Sequence, residues 1–291
     1  MFYCREVLGL SEGPTHPRTI IGSLTHSILE CIKHPRHKHH YDIIKQTGNI
    51  NNSKSIIRLI DLWRTKYNLS EELLYDINGM IQVAINADFF FEGAVKRFAP
   101  EHEFILQMDG YEIKGFIDDM AEYEDYILIR DYKTGRNKYT KQELSENFQS
   151  IIYQLYIYKK FGKLSKVNFL FLRHGPTVRT PDKHIQEIGI RSKDELEGFV
   201  LYLNHINKVF QNMGWAEATQ SYCKDYWFCR KVCPFFTAHD YQAIISKNNL
   251  DKTPKIVRMT RMSEKAELKS GEWIEIRHFG GCFKYHGINN L

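Results

Sequence analysis

Apolar residues recur at intervals of three and four along three stretches of the chain, which is the spacing of an amphipathic helix. One such helix is predicted from about residue 53 to 67, and a second, longer one from about 70 to 85. Ser192 and Glu195 form a capping box that opens a third helix. Residues 34–52 lack this spacing and carry four histidines, so they are predicted to form a solvated basic loop.

The middle of the chain shows the alternation and turn residues that are typical of strands. Strands are predicted at residues 101–108, 111–120, 126–132 and 167–172, with an edge strand at 185–190 and a helix at 145–161. Asp109 and Gly110 form a strong hairpin turn between the first two strands. The order of helices, three-stranded meander, helix, strand and helix predicts a mixed α/β fold with one central sheet. Residues 236–291 lose this regularity and are predicted to form a small β-rich appendage.

Composition places the chain among ordinary globular proteins. It has 291 residues, of which 26% are charged and 43% hydrophobic, and its formal net charge is +5. These values exclude a collagen, a coiled coil, a wholly disordered chain and a small disulfide-rich protein. No apolar run reaches the roughly 18–20 residues that span a bilayer, and the first residues lack the pattern of a signal peptide. We therefore expect a cytoplasmic, intracellular protein without a membrane partner, and the small positive charge is compatible with nucleic acid.

Two carboxylates stand at the ends of predicted neighbouring strands. Asp118 ends the second strand of the meander, and Asp131 ends the third. Carboxylates that meet at one sheet edge can hold Mg²⁺ or Mn²⁺, which prefer hard oxygen ligands. Alternation along a strand places Lys133 on the same face as Asp131, where its ammonium can orient or help to deprotonate a water beside the metal. These groups together are the parts required for phosphodiester hydrolysis.

Two further motifs flank these carboxylates. His26 ends the segment Gly-Ser-Leu-Thr-His at 22–26 on a predicted N-terminal helix, and residues 149–153 are Gln-Ser-Ile-Ile-Tyr. The ordered set G-x-x-x-H, G-x-I-D, D-Y-K-T-G and Q-x-x-x-Y resembles the PD-(D/E)XK nuclease superfamily, specifically its RecB-like branch. The resemblance covers residues 1–235. It implies a restriction-endonuclease-like core, with a central mixed sheet flanked by helices and a helical insertion at about 50–100.

The resemblance also implies a role for each motif residue at the site. His26, Asp118 and Asp131 would ligate the metal, and the backbone carbonyl of Tyr132 would be a further ligand. Lys133 would be the catalytic lysine.

The helix after the third strand would complete the site. The resemblance implies that Gln149 and Tyr153 support it and contact the DNA strand. Gln154 and Tyr158 repeat the same spacing and compete for this role. Glu103, on the first strand of the meander, either lies behind the metal ligands or is an exposed strand glutamate.

Four of the six cysteines follow a distribution that suggests a second cofactor. Cys4 precedes the first motif, and Cys223, Cys229 and Cys233 follow the predicted core. This distribution is similar to that of AddB and the CRISPR-associated Fe–S exonucleases, which implies that the four thiolates hold a [4Fe–4S] cluster. The trailing spacing is C-x5-C-x3-C rather than the family's usual C-x2-C-x5-C. Tetrahedral Zn²⁺ uses the same thiolates, so zinc is the alternative.

Basic residues beyond the third and fourth strands are candidate DNA contacts: Arg136, Lys138, Arg173 and Arg179. They would neutralise phosphates and make binding depend on salt. The combined interpretation is a metal-dependent deoxyribonuclease, an exonuclease that acts on single-stranded DNA or free ends in repair, recombination or replication, with a helicase or an integrase as partner. The alternative is a catalytically weak or inactive DNA-binding subunit of a helicase–nuclease or CRISPR-adaptation complex.

Overall fold

The computed structural model describes residues 17–212, 237–247 and 253–280. These residues fall into two compact units, one formed by Pro17–Lys208 and one by the described residues from Val209 onward. In these parts of the chain, every helix is too short or too polar to cross a membrane.

Four helices open the first unit: α1 (Pro17–Lys33), α2 (Lys38–Thr47), α3 (Lys54–Tyr67) and α4 (Glu72–Asn86). The helices predicted at 53–67 and 70–85 are confirmed by α3 and α4. The apolar faces of these helices meet in one core, in which Leu24, Ile28 and Ile56 are fully buried. This packing makes α1 a firm support for the side chains that it carries toward the sheet.

The prediction of a loop at residues 34–52 is wrong, because a short 3-10 turn and α2 occupy most of this segment. His40 and Ile44 lie four residues apart on one face of α2, and both are buried. The ring of His40 is accommodated there because its Nδ1 hydrogen-bonds with the hydroxyl of Ser53 at 2.9 Å. A polar sequence thus forms a helix with a buried stripe, and Gly48 ends it in the left-handed conformation (φ 69°).

Seven strands follow in the described part of this unit: β1 (Lys96–Arg97), β2 (His102–Gln107), β3 (Glu112–Ile117), β4 (Asp119–Glu122), β5 (Ile127–Lys133), β6 (Ser165–Phe171) and β7 (Ile185–Ile188). Five of them form a mixed sheet in the order β1–β4–β5–β6–β7, in which β5 and β6 are the parallel pair. Between β5 and β6 lie α5 (Lys141–Ser145) and α6 (Phe148–Phe161), and α7 (Lys193–Asn212) follows β7. This central mixed sheet with flanking helices confirms the predicted α/β fold.

Different helices cover the two faces of β5 and β6. Tyr132 and Leu170 belong to the core of α1 to α4, whereas Ile129 and Phe169 belong to a second core with α6. Alternation along the strands explains this division, because neighbouring side chains point to opposite faces. The carboxyl end of β5 is therefore enclosed by α1 on one face and α6 on the other.

The predicted second strand, residues 111–120, is two strands with a break at Asp118. β3 pairs with β2 in a separate two-stranded sheet, and β4 pairs with β5 in the central sheet. The prediction of a single meander is therefore wrong at this point. At the break the carbonyl of Asp118 accepts a hydrogen bond from the N–H of Glu101 at 3.0 Å, so this carbonyl stays bonded where the chain passes between sheets.

The second unit contains an antiparallel sheet of three strands, β8 (His239–Lys247), β9 (Pro254–Arg261) and β10 (Glu272–Phe279), in the order β10–β8–β9. Tyr241, Ala243, Ile245 and Phe279 form its small core. These strands lie within the segment that the sequence predicts to be β-rich.

The ring of Phe104 leaves no room for a side chain at Gly115, its partner on the neighbouring strand. A Cβ atom at Gly115 would lie 2.7 Å from one ring carbon of Phe104. That ring is buried and stacks on Tyr156 with centroids 4.7 Å apart, so it has little room to move. We expect Gly115→Ala to lower the free energy of unfolding by about 1–3 kcal/mol, measured by urea denaturation.

Gly79→Ala is the matched control, because nothing lies within 4 Å of a Cβ atom added at Gly79 in α4. Alanine is the better helix former by roughly 1 kcal/mol, so this variant should be unchanged or more stable. Equal stability of the Gly115→Ala variant and the parent protein would contradict the packing described for Phe104.

Candidate active site

Four elements bring the sequence motifs together at the carboxyl end of β5. His26 comes from α1, and Asp118 comes from the break between β3 and β4. Asp131 and Lys133 end β5, and Gln149 lies in the first turn of α6. Residues that are distant in sequence therefore share one place in the fold.

Gly22 allows α1 to lie close to the end of β5. A Cβ atom at this position would lie 3.0 Å from the hydroxyl oxygen of Thr134. The glycine of G-x-x-x-H and the threonine of D-Y-K-T-G therefore meet in space. A larger residue at position 22 would push against the segment that carries the D-Y-K-T-G motif.

Three potential metal ligands lie at the strand break: His26, Glu101 and Asp118. One ligand atom from each lies within 4.8 Å of the other two. His26 Nδ1 is 3.0 Å from Asp118 Oδ1 and 3.9 Å from Glu101 Oε1. The backbone N–H of Tyr132 donates to the other oxygen, Asp118 Oδ2, at 2.6 Å. We call His26, Glu101 and Asp118 the metal-ligand cluster.

The donor set of the metal-ligand cluster suits a small divalent cation. Two carboxylates supply hard oxygen ligands and the imidazole supplies a nitrogen, a set that accommodates Mg²⁺ or Mn²⁺. Burial lowers the pKa of His26, but hydrogen bonds to Asp118 and Glu101 and the charges of Asp118 and Asp131 outweigh burial and raise the pKa to about 10. The same concentration of negative charge that holds a proton on His26 would hold a cation.

Glu101 is the site residue that sequence reasoning missed. Glu103, which that reasoning named, lies in β2 and is exposed. Of the two alternatives for Glu103, the exposed strand glutamate is therefore the one observed. Glu101 has a left-handed backbone (φ 51°), a conformation that costs roughly 1–2 kcal/mol for a residue other than glycine. Its side chain reaches toward His26. The available signal was an acidic residue at the start of the predicted strand 101–108, but strand alternation does not distinguish Glu101 from Glu103.

Asp131 is held by a buried network, which we call the Asp131–Lys133 network. Asp131 Oδ2 lies 2.8 Å from the ammonium of Lys133, and Asp131 Oδ1 accepts from Gln149 Nε2 at 2.8 Å. The same ammonium donates to Gln149 Oε1 at 2.7 Å. The hydroxyl of Tyr153 lies 3.1 Å from Asp131 Oδ1 and 2.8 Å from the carbonyl oxygen of Phe116. The lysine and the carboxylate are thus fixed relative to each other and to α6.

The charges of this network shift the pKa of both partners. Burial and the nearby charge of Asp118 raise the pKa of Asp131 to about 6, although Lys133 acts in the opposite direction. Burial lowers the pKa of Lys133, but the charge of Asp131 and the contact with it outweigh burial and raise the pKa above its ordinary value. Lys133 therefore keeps its proton at neutral pH. It is a fixed positive charge whose ammonium donates a hydrogen bond to Gln149.

Asp131 is not part of the metal-ligand cluster within the described residues. Its carboxylate is engaged by Lys133 instead. The charge of Asp118 nevertheless helps to raise the pKa of Asp131, so the two carboxylates are close enough to interact. The ligand set inferred from sequence is therefore divided between the cluster and the network.

The two Q-x-x-x-Y pairs of α6 lie in different surroundings. Gln149 and Tyr153 contact Asp131, as described above. Gln154 is buried, and it donates to the backbone carbonyls of Ser165 at 2.6 Å and Gly189 at 2.9 Å. Gln154 thus ties α6 to neighbouring backbone, away from the carboxylates.

The four basic residues inferred to contact DNA fall into two pairs. Arg136 and Arg179 are exposed. Arg173 forms an ion pair with Asp76 at 2.8 Å, and Lys138 donates to a backbone carbonyl. The first pair presents its charges to solvent, whereas the second pair stabilises the surrounding loops.

The inferred iron–sulfur ligands Cys4, Cys223, Cys229 and Cys233 lie outside the described residues. Cys31, on α1, is a partly buried free thiol, and burial raises its pKa.

One protein family matches most of the chain. The family model of the PD-(D/E)XK nuclease superfamily matches residues 1–237. Among solved structures, the chain is similar to a "putative exonuclease" from Eubacterium rectale, with 12% identity, a TM-score of 0.41, and coverage of 70% of this chain and 69% of that one. It is also similar to a protein named SSO0001, with 17% identity, a TM-score of 0.27, and coverage of 62% and 75%. No curated protein matches the chain significantly. Because the family model spans most of the sequence, the chain belongs to the PD-(D/E)XK nuclease superfamily.

Proposed function

We propose that this protein is a metal-dependent deoxyribonuclease that hydrolyses the phosphodiester bonds of DNA. The observation that carries the proposal is the meeting of the metal-ligand cluster and the Asp131–Lys133 network at one end of β5. The cluster offers ligands for a cation, and the network offers a fixed positive charge. Hydrolysis uses both, since negative charge develops on the phosphate as the bond breaks.

The metal-ligand cluster would hold Mg²⁺ or Mn²⁺. A cation bound by His26, Glu101 and Asp118 would supply the Lewis acid that stabilises charge on the phosphate. The N–H of Tyr132 orients Asp118 for this role. Asp131 is the further carboxylate that the family motif associates with the metal, and it lies beside the cluster in this fold.

Lys133 would position the attacking water and the phosphate. Its ammonium is held between Asp131 and Gln149, at 2.8 and 2.7 Å. A charge that is already in place needs little reorganisation during the reaction, which makes it effective in stabilising the transition state. Gln149 and Tyr153 act through Asp131 and Lys133, and are therefore positioning residues.

We infer that the substrate is single-stranded DNA attacked from a free end, in repair, recombination or replication. Phe116 supports the preference for a single strand. Its carbonyl is bonded to Tyr153, while the residue remains 55% exposed two positions before Asp118. An exposed ring beside the cleavage site can stack on an unpaired base.

Lys133→Ala should slow cleavage of end-labelled single-stranded DNA with Mg²⁺ or Mn²⁺ by at least about 100-fold, because it removes the fixed charge. Asp118→Ala should do the same through loss of a metal ligand. Lys166→Ala is the matched control: Lys166 lies on the parallel strand β6, paired with Leu128 near the other end of β5. The Lys166→Ala variant should cleave DNA at the same rate as the parent protein.

The same cleavage assay is then run on linear and on circular DNA, each in single-stranded and double-stranded form. Cleavage confined to linear single strands would support an exonuclease. Full activity of both site variants would refute the assigned site. DNA binding by the parent protein without any cleavage would favour the alternative, an inactive DNA-binding subunit.

Glu101→Gln should weaken the binding of Mn²⁺ by about tenfold or more, because it removes one carboxylate charge from the metal-ligand cluster. Glu103→Gln removes the same charge from an exposed position two residues away and should leave the affinity unchanged. Both affinities are measured by titrating Mn²⁺ and following its electron paramagnetic resonance signal, which does not depend on catalysis. Equal affinities of the two variants would show that Glu101 is not a ligand.

We further propose that Cys4, Cys223, Cys229 and Cys233 hold a [4Fe–4S] cluster, with zinc as the alternative. The support is the position of one cysteine before the first motif and three after the core, as in the iron–sulfur branch that this sequence resembles.

Protein purified without oxygen should be brown and contain about four iron atoms per chain, and Cys229→Ser should lose this iron. Cys31→Ser is the matched control, because Cys31 is a partly buried free thiol. The iron and zinc contents are measured by elemental analysis, and the cluster is detected by absorption spectroscopy. A colourless protein with stoichiometric zinc would rule out the cluster.

A further inference from the structure

A cavity of about 630 Å³ opens within the first unit. Three chain segments line it: the end of α1 with the start of α2, residues 90–91, and residues 97–100 before β2. Asp119, the first residue of β4, completes the lining. A cavity of this volume accommodates a ligand of the size of a nucleotide.

The charges around the cavity favour an anion. Arg36, Lys38 and Arg97 line it and are exposed, and none of them forms an ion pair with another described residue. Lys33 also lines the cavity, and its side chain is nearly buried. Among the described lining residues Asp119 is the single acid, and it is paired with Lys33. The lining therefore has a net positive charge.

Aromatic rings supply apolar walls to the same cavity. Phe90, Phe91 and Phe98 all line it. Phe91 is buried, with its ring centroid 4.8 Å from the ammonium of Lys33 and 4.2 Å from the guanidinium of Arg130. Phe90 and Phe98 are only partly buried, so a nucleobase can pack against their rings while cations bind its phosphate. The combination suits a nucleotide better than an inorganic anion alone.

The cavity adjoins the place where the strand would be cut. Two of its residues, Pro100 and Asp119, are sequence neighbours of members of the metal-ligand cluster. On α1, Lys33 lies two helical turns beyond His26, or roughly 10 Å. Because stacked nucleotides rise about 3.4 Å each, a strand cut at the cluster would reach the cavity within about three nucleotides.

We propose that this cavity receives the phosphorylated terminal nucleotide of the strand that is cut, an inference that rests on the nuclease function proposed above. A terminal phosphate carries a charge of about −1.5 to −2, against roughly −1 for a phosphate within the strand. Several cations around one cavity therefore favour the end of a strand over its interior.

The test uses single-stranded oligonucleotides that carry a phosphate or a hydroxyl at the 5′ end, and a second pair that differs in the same way at the 3′ end. With Mg²⁺, the parent protein should cut one phosphorylated substrate at least about tenfold faster than its hydroxyl counterpart, and the responding pair identifies the bound end. Arg97→Glu and, independently, Lys38→Glu should bring this ratio close to one. Arg58→Glu makes a similar charge change at an exposed position of α3 that does not line the cavity, and it should preserve the ratio.

Equal rates on phosphorylated and hydroxyl ends in an active parent protein would overturn the end-binding cavity and leave the nuclease function standing. The proposal would also be overturned if Arg58→Glu lowered the ratio of rates as much as Arg97→Glu and Lys38→Glu do. If the parent protein cuts no DNA, the proposed function fails. Fluorescence anisotropy of the same oligonucleotides without metal then decides whether the cavity binds a phosphorylated strand end. Tighter binding of one phosphorylated end that Arg97→Glu abolishes would support the cavity, and equal binding of all ends would overturn it.

Discussion

The carboxylate of Asp118 is the interaction on which the rest of the site depends. One of its oxygens contacts His26 at 3.0 Å, and the other accepts the N–H of Tyr132 at 2.6 Å. A single side chain thereby joins α1, the break between two sheets, and β5. Because the chain leaves the β2–β3 sheet for the central sheet at this residue, topology and chemistry are set at the same position. The backbone there also accepts the N–H of Glu101, which brings the third member of the metal-ligand cluster into place.

Buried charge lies on both faces of β5 beside this carboxylate. On the α6 face Asp131 pairs with Lys133, and on the α1 face Asp119 pairs with Lys33 and lies 3.8 Å from Arg130. Burial and the charge of Arg130 lower the pKa of Lys33 well below its ordinary value. Removing one member of a buried pair leaves an uncompensated charge, at a cost of roughly 3–5 kcal/mol. The pairs therefore help to hold the end of β5 between the two helical layers.

How far the sequence predicts this arrangement depends on the range of the interactions. Asp131 and Lys133 share a face because strands alternate, and Gln149 reaches them because α6 begins soon after the D-Y-K-T-G turn; both relations are local and readable from spacing. The position of Glu101 depends on a left-handed backbone and on pairing with a distant strand, and neither leaves a periodic signal. The helix α2 was missed for a similar reason: a pattern of polar residues does not reveal that His40 is buried and satisfied by a side chain from the next segment. Sequence thus predicts the pairing of Asp131 with Lys133 and the helix that supports it, whereas the clustering of His26, Glu101 and Asp118 requires the tertiary fold.

The metal-ligand cluster and the cavity share two short segments of the chain. Glu101 and Asp118 belong to the cluster, while their sequence neighbours Pro100 and Asp119 line the cavity. One segment can therefore contribute residues to two neighbouring sites. The left-handed backbone at Glu101 carries a strain of roughly 1–2 kcal/mol, which must be held by the hydrogen bond to Asp118 and by the surrounding core. If a strand end occupies the cavity, its distance from the cleavage point is set by covalent geometry rather than by a movable loop. The length of the released fragment then becomes a property of the fold itself.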